Sequence, residues 1–199
     1  IIDGIGSTEM IHIFVSARGD AIRPGATGKA VPGYEATLLN DNDEPFDGEG
    51  EGRLAIKGPT GCRYLADERQ RNYVINGWNV TGDIYRRDAD GYFWYISRAD
   101  DMIISSGYNI GAPEVENALL THDAVAECAV VGVPDEERGH IVKAFVVLKP
   151  NASATERALQ DHVKQTIAPY KYPRAIEFLT ELPKTHTGKV QRFKLRSAP

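Results

Sequence analysis

Cysteine is scarce in this chain, with two thiols in 199 residues, Cys62 and Cys128. Two are too few for a disulfide framework, and their separation matches no metal-ligand spacing. Both lie among apolar or small residues, so the expectation is two buried free thiols in a reducing cytoplasm. Long apolar runs are also missing, and no stretch approaches the roughly 20 residues of a membrane span. The opening "IIDGIGSTEM" has no basic flank followed by an apolar core, which excludes a signal peptide. It does not start with Met, and the chain reads as part of something longer. Dense basic runs interleaved with aromatics are absent too, which argues against nucleic acid as a partner.

What is present is ordinary for a globular protein, with 42% hydrophobic and 26% charged residues. The net charge of −5 is unevenly spread. From Asn151 onward there are nine Lys/Arg against four Asp/Glu, while the first 150 residues carry 14 against 24. A positive tail on an acidic protein points to an anionic partner for that end. A phosphorylated small molecule suits the scattered charges, and a solvated face is the bland alternative.

The pattern of residues 1 to about 97 is one of strands and turns. "GYEATLLN" and "GRLAIKGP" are separated by the turn cluster "DNDEPFDGEGEG". "NVTGDIYRR" and "GYFWYISR" flank the hairpin signal "DADG". From Arg98 the texture changes. "GAPEVENALL" predicts a helix, with Pro113 in its first turn and Val115, Ala118 and Leu119 on one face. "VAECAVVGV", "KAFVVLKP" and "RAIEFLTEL" predict strands. "SATERALQDHVKQTIA" predicts a helix capped by Ser153 with Glu156 three residues on, its buried stripe being Leu159, Val163 and Ile167. The fold class is α+β, in two parts: a β-rich, barrel-like 1–97 and a small mixed 98–199.

Four stretches carry chemistry, each with a plain alternative. "GSTE", Gly6 to Glu9, sets hydroxyls beside a carboxylate, as a phosphate and Mg²⁺ require; it also reads as a helix cap. "TGD", Thr81 to Asp83, offers a carboxylate at a glycine turn for a ribose diol, or is only a turn. "SRADDMIISSGYNI" places Arg98, Asp100 and Asp101 ahead of Gly107, or forms a surface ion pair. "PKTHTGK" ends in Gly188-Lys189. A phosphate-binding P-loop is excluded there, because Pro183 stands where its first Gly belongs and Val190 where its Ser or Thr belongs.

In this order and spacing the four stretches resemble the acyl-adenylate-forming superfamily of acyl-CoA synthetases, peptide-synthetase adenylation domains and luciferases. The wording of "DGIGSTEMIHIF", "GPTGCRYLADERQ" and "GWNVTGD" is similar to its benzoate and 2-aminobenzoate CoA ligases. The resemblance implies an acid–thiol ligase that uses ATP, Mg²⁺, coenzyme A and an aromatic carboxylic acid. It implies that 1–97 ends a large AMP-binding domain and that 98–199 is a small mobile one. It further implies that the phosphate loop lies upstream and that the chain alone is inactive. Carried over position by position, it puts Thr8, with Gly6 beside it, on phosphate and Glu9 on Mg²⁺. Asp83 falls on the ribose with Arg98 beside it, and His12 near the acyl group, where a packed core histidine is the alternative. Asp100 becomes the hinge, Gly107 lines the thiol's route, and Lys189 meets the acyl carboxylate and α-phosphate. Acetylation of Lys189 by a lysine acetyltransferase would remove that charge. Two positions depart from the family pattern: Asn109 stands where relatives carry Arg, and Ile5 where many carry an aromatic residue. The rival readings are a peptide-synthetase-type adenylation domain and a non-catalytic binding or regulatory fragment.

Overall fold

Runs of β-branched and aromatic residues broken by glycine turns become sheet in the first half of the chain. A computed structural model describes residues 2–196. The chain divides into two units, one ending at Asp100 and the other beginning at Asp101. Arg98 still pairs in the first unit's last strand, and the boundary between the units falls three residues beyond the change of texture at Arg98. No helix among the described residues is long and apolar enough to cross a membrane.

In the first unit, β1 (Gly4–Gly6), β2 (Ile13–Ser16) and β3 (Lys29–Ala30) form a small antiparallel sheet in that order. A second sheet has six strands: β4 (Glu35–Leu39), β5 (Pro45–Phe46), β6 (Gly50–Lys57), β7 (Val74–Ile75), β8 (Trp78–Arg87) and β9 (Phe93–Arg98). Its order is β5-β4-β6-β8-β7, with β9 also paired to β8. The short helix α1 (Arg69–Tyr73) precedes β7, and a Gly28–Phe93 bridge links the two sheets. The central strands bury both faces. Leu38, Leu54, Ile56, Tyr85 and Phe93 meet Met10, Phe14 and Val15 on one side, and Leu39, Ala55 and Val80 cluster on the other. The "DADG" turn joins β8 to β9 as expected, closed by Gly91 N–H donating to Asp88 O at 2.9 Å.

The second unit is a five-stranded sheet built from β10 (Met102–Ser105), β11 (Tyr108–Gly111), β12 (Val125–Asp135), β13 (Gly139–Leu148) and β14 (Ala175–Phe178). Its order is β11-β10-β13-β12, and β14 runs parallel to β13. Helices α2 (Ala112–Leu120) and α3 (Glu156–Thr166) cover one face, which contributes Val130, Val142, Ala144 and Val146 to the main core. The other face presents Ala129, Val131 and Phe145 to Leu182 and to Leu195 of α4 (Arg192–Arg196). Alternate residues of β12 and β13 therefore serve two cores, which is why both strands read as nearly continuous apolar runs. Glu116 on α2 accepts from Val130 N–H at 2.8 Å and from Arg192 at 2.7 Å, tying α2, β12 and α4 together.

Two local expectations need correction. The cap of α3 is Thr155, not Ser153: its Oγ1 accepts from Ala158 N–H at 3.2 Å, and its extended backbone leads directly into the first turn. Burial of Leu159 and Val163 against the sheet fixes the helix start, and Thr155 stands three residues before the first N–H to be satisfied. The "TGD" stretch is not a turn between strands. Val80 pairs with Ala55 and Ile84 with Arg53, so Thr81, Gly82 and Asp83 all face the single residue Leu54. They form a bulge inside β8.

Candidate functional site

The turn from β1 to β2 presents the first cluster. Gly6 is required by close approach, since a Cβ there would lie 2.6 Å from His12 O. Ser7 organises the turn: its carbonyl accepts from Ile11 N–H at 2.9 Å and its hydroxyl from Met10 N–H at 3.2 Å. Met10 is buried beneath it, so Thr8 and His12 are pushed outward. A shallow depression lined by Gly6, Ser7, Thr8, Ile11, His12 and Ile13 results. No helix follows, which rules out the helix-cap reading of "GSTE". His12 is no core histidine. It is exposed, stacks on Tyr34 with centroids 5.9 Å apart, and has Nδ1 2.5 Å from Ile13 O.

Glu9 is held from outside the motif. Tyr64 Oη donates to Glu9 Oε1 at 2.7 Å, and the Tyr64 ring stands edge-on to Tyr73, whose centroid is 5.6 Å away. Burial, then the nearby Cys62 and Glu9, push the Tyr73 phenol well above its ordinary range. Sequence reasoning missed Tyr64, because nothing local separates it from the other eight tyrosines.

The bulge in β8 presents the second cluster. Bulges re-aim side chains beside functional sites, and here the bulge ends on Asp83, directly across from Arg98 on β9. Asp83 is 8% exposed. Its backbone N–H donates to Thr81 Oγ1 at 3.2 Å, and Arg98 donates to its Oδ1 at 3.3 Å. Arg98 also reaches Thr81 O at 3.4 Å and Asp100 at 3.5 Å. Burial holds the Asp83 carboxyl above its usual range, and the Arg98 guanidinium opposes without overcoming it. Burial alone would lower the Arg98 value, but Asp83 and Asp100 together carry it above the ordinary one. The ion-pair reading of Arg98 is therefore correct as far as it goes, and its partner is the ribose candidate itself.

Asp100 is the last residue of the first unit, inside the single helical turn Ala99–Asp101. In the second unit, Asp101 is held by Arg196 of α4. Gly107 is the second residue of a two-residue hairpin between β10 and β11. Ser106 and Gly107 have φ of 49° and 81°, the pair of left-handed residues that a type I′ turn demands. Among the described residues nothing lies within 4 Å of where a Gly107 Cβ would sit, so within this unit the turn, not crowding, requires glycine. Asn109 is exposed on β11 and pairs across to Ile104; Ile5 pairs with Val15 and packs on the first unit's core.

Lys189 lies on a hairpin outside the sheets. Lys184 and Val190 bridge, and Gln191 N–H donates to Pro183 O at 2.8 Å. Gly188, at φ 84°, reverses the chain. Lys184 anchors the hairpin to β12 through Glu127 at 2.5 Å. Lys189 itself is exposed, and among the described residues no hydrogen bond or ion pair engages its ammonium.

The donor set at Thr8 and Glu9 consists of hard oxygens. Among the described residues no group of three or more His, Cys, Asp or Glu is placed to hold a metal. One carboxylate with a hydroxyl fits Mg²⁺, which takes one or two carboxylates and completes its shell with water and substrate phosphates.

Comparison with known proteins places this geometry. Residues 114–189 match the model of the AMP-binding enzyme C-terminal domain. The benzoate–CoA ligase of Thauera aromatica is 47% identical over the whole chain, and the acyl-coenzyme A synthetase ACSM4, mitochondrial, of Mus musculus is 45% identical over 98% of it. The chain spans 39% and 36% of the length of these relatives. The crystal structure of the anthranilate CoA ligase AuaEII in complex with anthranoyl-AMP superimposes with a TM-score of 0.88 at 47% identity, covering 98% of this chain and 39% of that one. Residues 114–189 thus carry the pattern of the AMP-binding enzyme C-terminal domain, within a chain similar along its whole length to part of a CoA ligase.

Proposed function

We propose that this chain is the C-terminal portion of an ATP-dependent aromatic acid–CoA ligase, acting on benzoate or 2-aminobenzoate through an acyl-AMP. In the first half-reaction a carboxylate oxygen of the acid attacks the α-phosphorus of ATP and pyrophosphate leaves. In the second, the thiol sulfur of CoA attacks the acyl carbon and AMP leaves. Residues 1–97 end the larger AMP-binding domain, 98–199 form the small mobile one, and Asp100 is the pivot.

Charge builds on phosphate oxygens in the first half-reaction, so fixed donors and cations must meet it. The exposed Thr8 hydroxyl, on the turn that Gly6 permits, contacts phosphate. Glu9, oriented by Tyr64, holds Mg²⁺, which when bound neutralises phosphate charge. Asp83 accepts the ribose hydroxyls, and Arg98 keeps its buried carboxylate ionised against desolvation. His12 borders the acyl group. Lys189 brings a compact cation to the acyl carboxylate and α-phosphate, and its exposure also leaves it open to an acetyltransferase. Gly107 lies on the route of the CoA thiol. The free thiols of Cys62 and Cys128 fit a reducing compartment such as the cytoplasm.

The observation that carries this reading is the 47% identity to a benzoate–CoA ligase across the whole chain. The test is a panel of acids with ATP, Mg²⁺ and CoA, using the enzyme that carries this chain. Benzoate or 2-aminobenzoate is expected to give the highest kcat/KM. A higher value for acetate or palmitate than for every aryl acid would overturn the aromatic assignment.

A further inference from the structure

The hairpin that presents Lys189 is organised by one residue to which no role has yet been given. Thr185 N–H donates to Lys189 O at 2.8 Å, and Lys189 N–H donates to Thr185 Oγ1 at 3.1 Å. Both main-chain polar groups of Lys189 therefore end on Thr185. The Thr185 carbonyl also accepts from Gly188 N–H at 2.9 Å, closing the turn immediately before the lysine. Thr185 Oγ1 lies 2.9 Å from Thr187 Oγ1, so it can accept from Lys189 and still pass its own proton to Thr187.

We infer that Thr185 is a positioning residue: its hydroxyl fixes the backbone of Lys189 and so the direction in which the ammonium is presented. This rests on the proposed role of Lys189 in acyl-AMP formation. A lysine has four rotatable carbons between Cα and its charge, and each uncertain torsion dilutes the fraction of time the charge is in place. Fixing the Cα–Cβ direction removes the first of these uncertainties. The hairpin is solvent-exposed from Lys184 to Lys189. Water therefore competes for the Lys189 amide, and only a donor–acceptor pair built into the turn holds it in one geometry.

The test compares Thr185→Val, which keeps the shape and removes the hydroxyl, with Thr185→Ser, which keeps the hydroxyl. Losing one hydrogen bond of ordinary strength corresponds to about fivefold to tenfold. In the enzyme that carries this chain, Thr185→Val is expected to slow single-turnover acyl-AMP formation by that factor, while conversion of supplied acyl-AMP to acyl-CoA is unchanged. Thr185→Ser should stay within about twofold of the parent in both, since it still accepts from the amide. In a Lys189→Ala background, Thr185→Val should cause no further slowing, because the group it positions is gone. Amide hydrogen exchange on this chain supplies a readout independent of activity: Lys189 N–H should exchange faster in Thr185→Val and not in Thr185→Ser. Equal damage to both half-reactions would make Thr185 a structural residue and overturn the inference. A slow Lys189→Ala variant beside an unimpaired Thr185→Val would overturn it alone. An unimpaired Lys189→Ala would remove the role of Lys189, and this inference with it.

Discussion

Asp83 and Lys189 are the two charged groups that the proposed chemistry leans on most, and the protein treats them in opposite ways. Asp83 is buried at a bulge in the middle of a six-stranded sheet, with a backbone bond, a hydroxyl and a guanidinium around it. Lys189 stands in solvent at the end of a hairpin with its ammonium unengaged among the described residues. The carboxylate is preorganised, so it can receive neutral hydroxyls at no cost in rearrangement. The ammonium is fixed only at its backbone. A cation needed in one half-reaction and not in the other gains from being deliverable, whereas a group that binds the nucleotide throughout gains from being rigid. The difference teaches where each charge gets its support: Asp83 from the sheet around its carboxylate, Lys189 only from a turn whose hydrogen bonds converge on Thr185.

The largest effect that would break this comparison is on Lys189. Lys189→Ala is expected to slow acyl-AMP formation by about 10²–10³-fold, the usual loss for one electrostatic contact made in a transition state. Conversion of supplied acyl-AMP to acyl-CoA should proceed at nearly the parent rate. Single-turnover assays of the two half-reactions check it, and a parent-like rate of acyl-AMP formation would reduce Lys189 to an ordinary tail lysine.

Two glycines sharpen the contrast at smaller scale. Gly6→Ala sets a methyl 2.6 Å from a backbone oxygen, so strands β1 and β2 must separate. A cost of about 2 kcal/mol is expected, in line with overpacking elsewhere. Gly107→Ala has open space and meets only the left-handed backbone, at about 1 kcal/mol. Denaturant unfolding of each variant measures both, and the reverse ranking would show that the β1–β2 turn can relax.

The smallest effect concerns pH. Because burial raises the Asp83 carboxyl, the folded protein binds that proton more tightly than the unfolded chain does. The stability that this bound proton confers is therefore fully present below the ordinary carboxylate range, about 3.9, and is lost as pH rises through the higher folded value. Asp83→Asn deletes this titration. The Tm difference, variant minus parent, is expected to become more positive from about pH 3 to about pH 7, while the KM for ATP rises. A Tm difference independent of pH would show that Arg98 fully offsets the burial.

Much of this was legible in the sequence, for identifiable reasons. Apolar runs bounded by turn clusters marked β4 and β6, and helical spacing marked the buried stripes of α2 and α3, because burial on one face of a helix leaves a periodic trace. Gly91 marked the left-handed turn between β8 and β9, since other residues rarely take that backbone. Motif order singled out Glu9, Asp83, Arg98 and Lys189 as candidates. What only the tertiary structure decided is what those residues touch. The bulge that turns Asp83 toward Arg98 arises because Thr81–Asp83 oppose one residue on β6, and register between distant strands has no local code. Tyr64 reaches Glu9 across 55 positions of chain, and Arg192 reaches Glu116 across 76. Such partners are chosen by packing, which brings together residues that no short window of sequence contains.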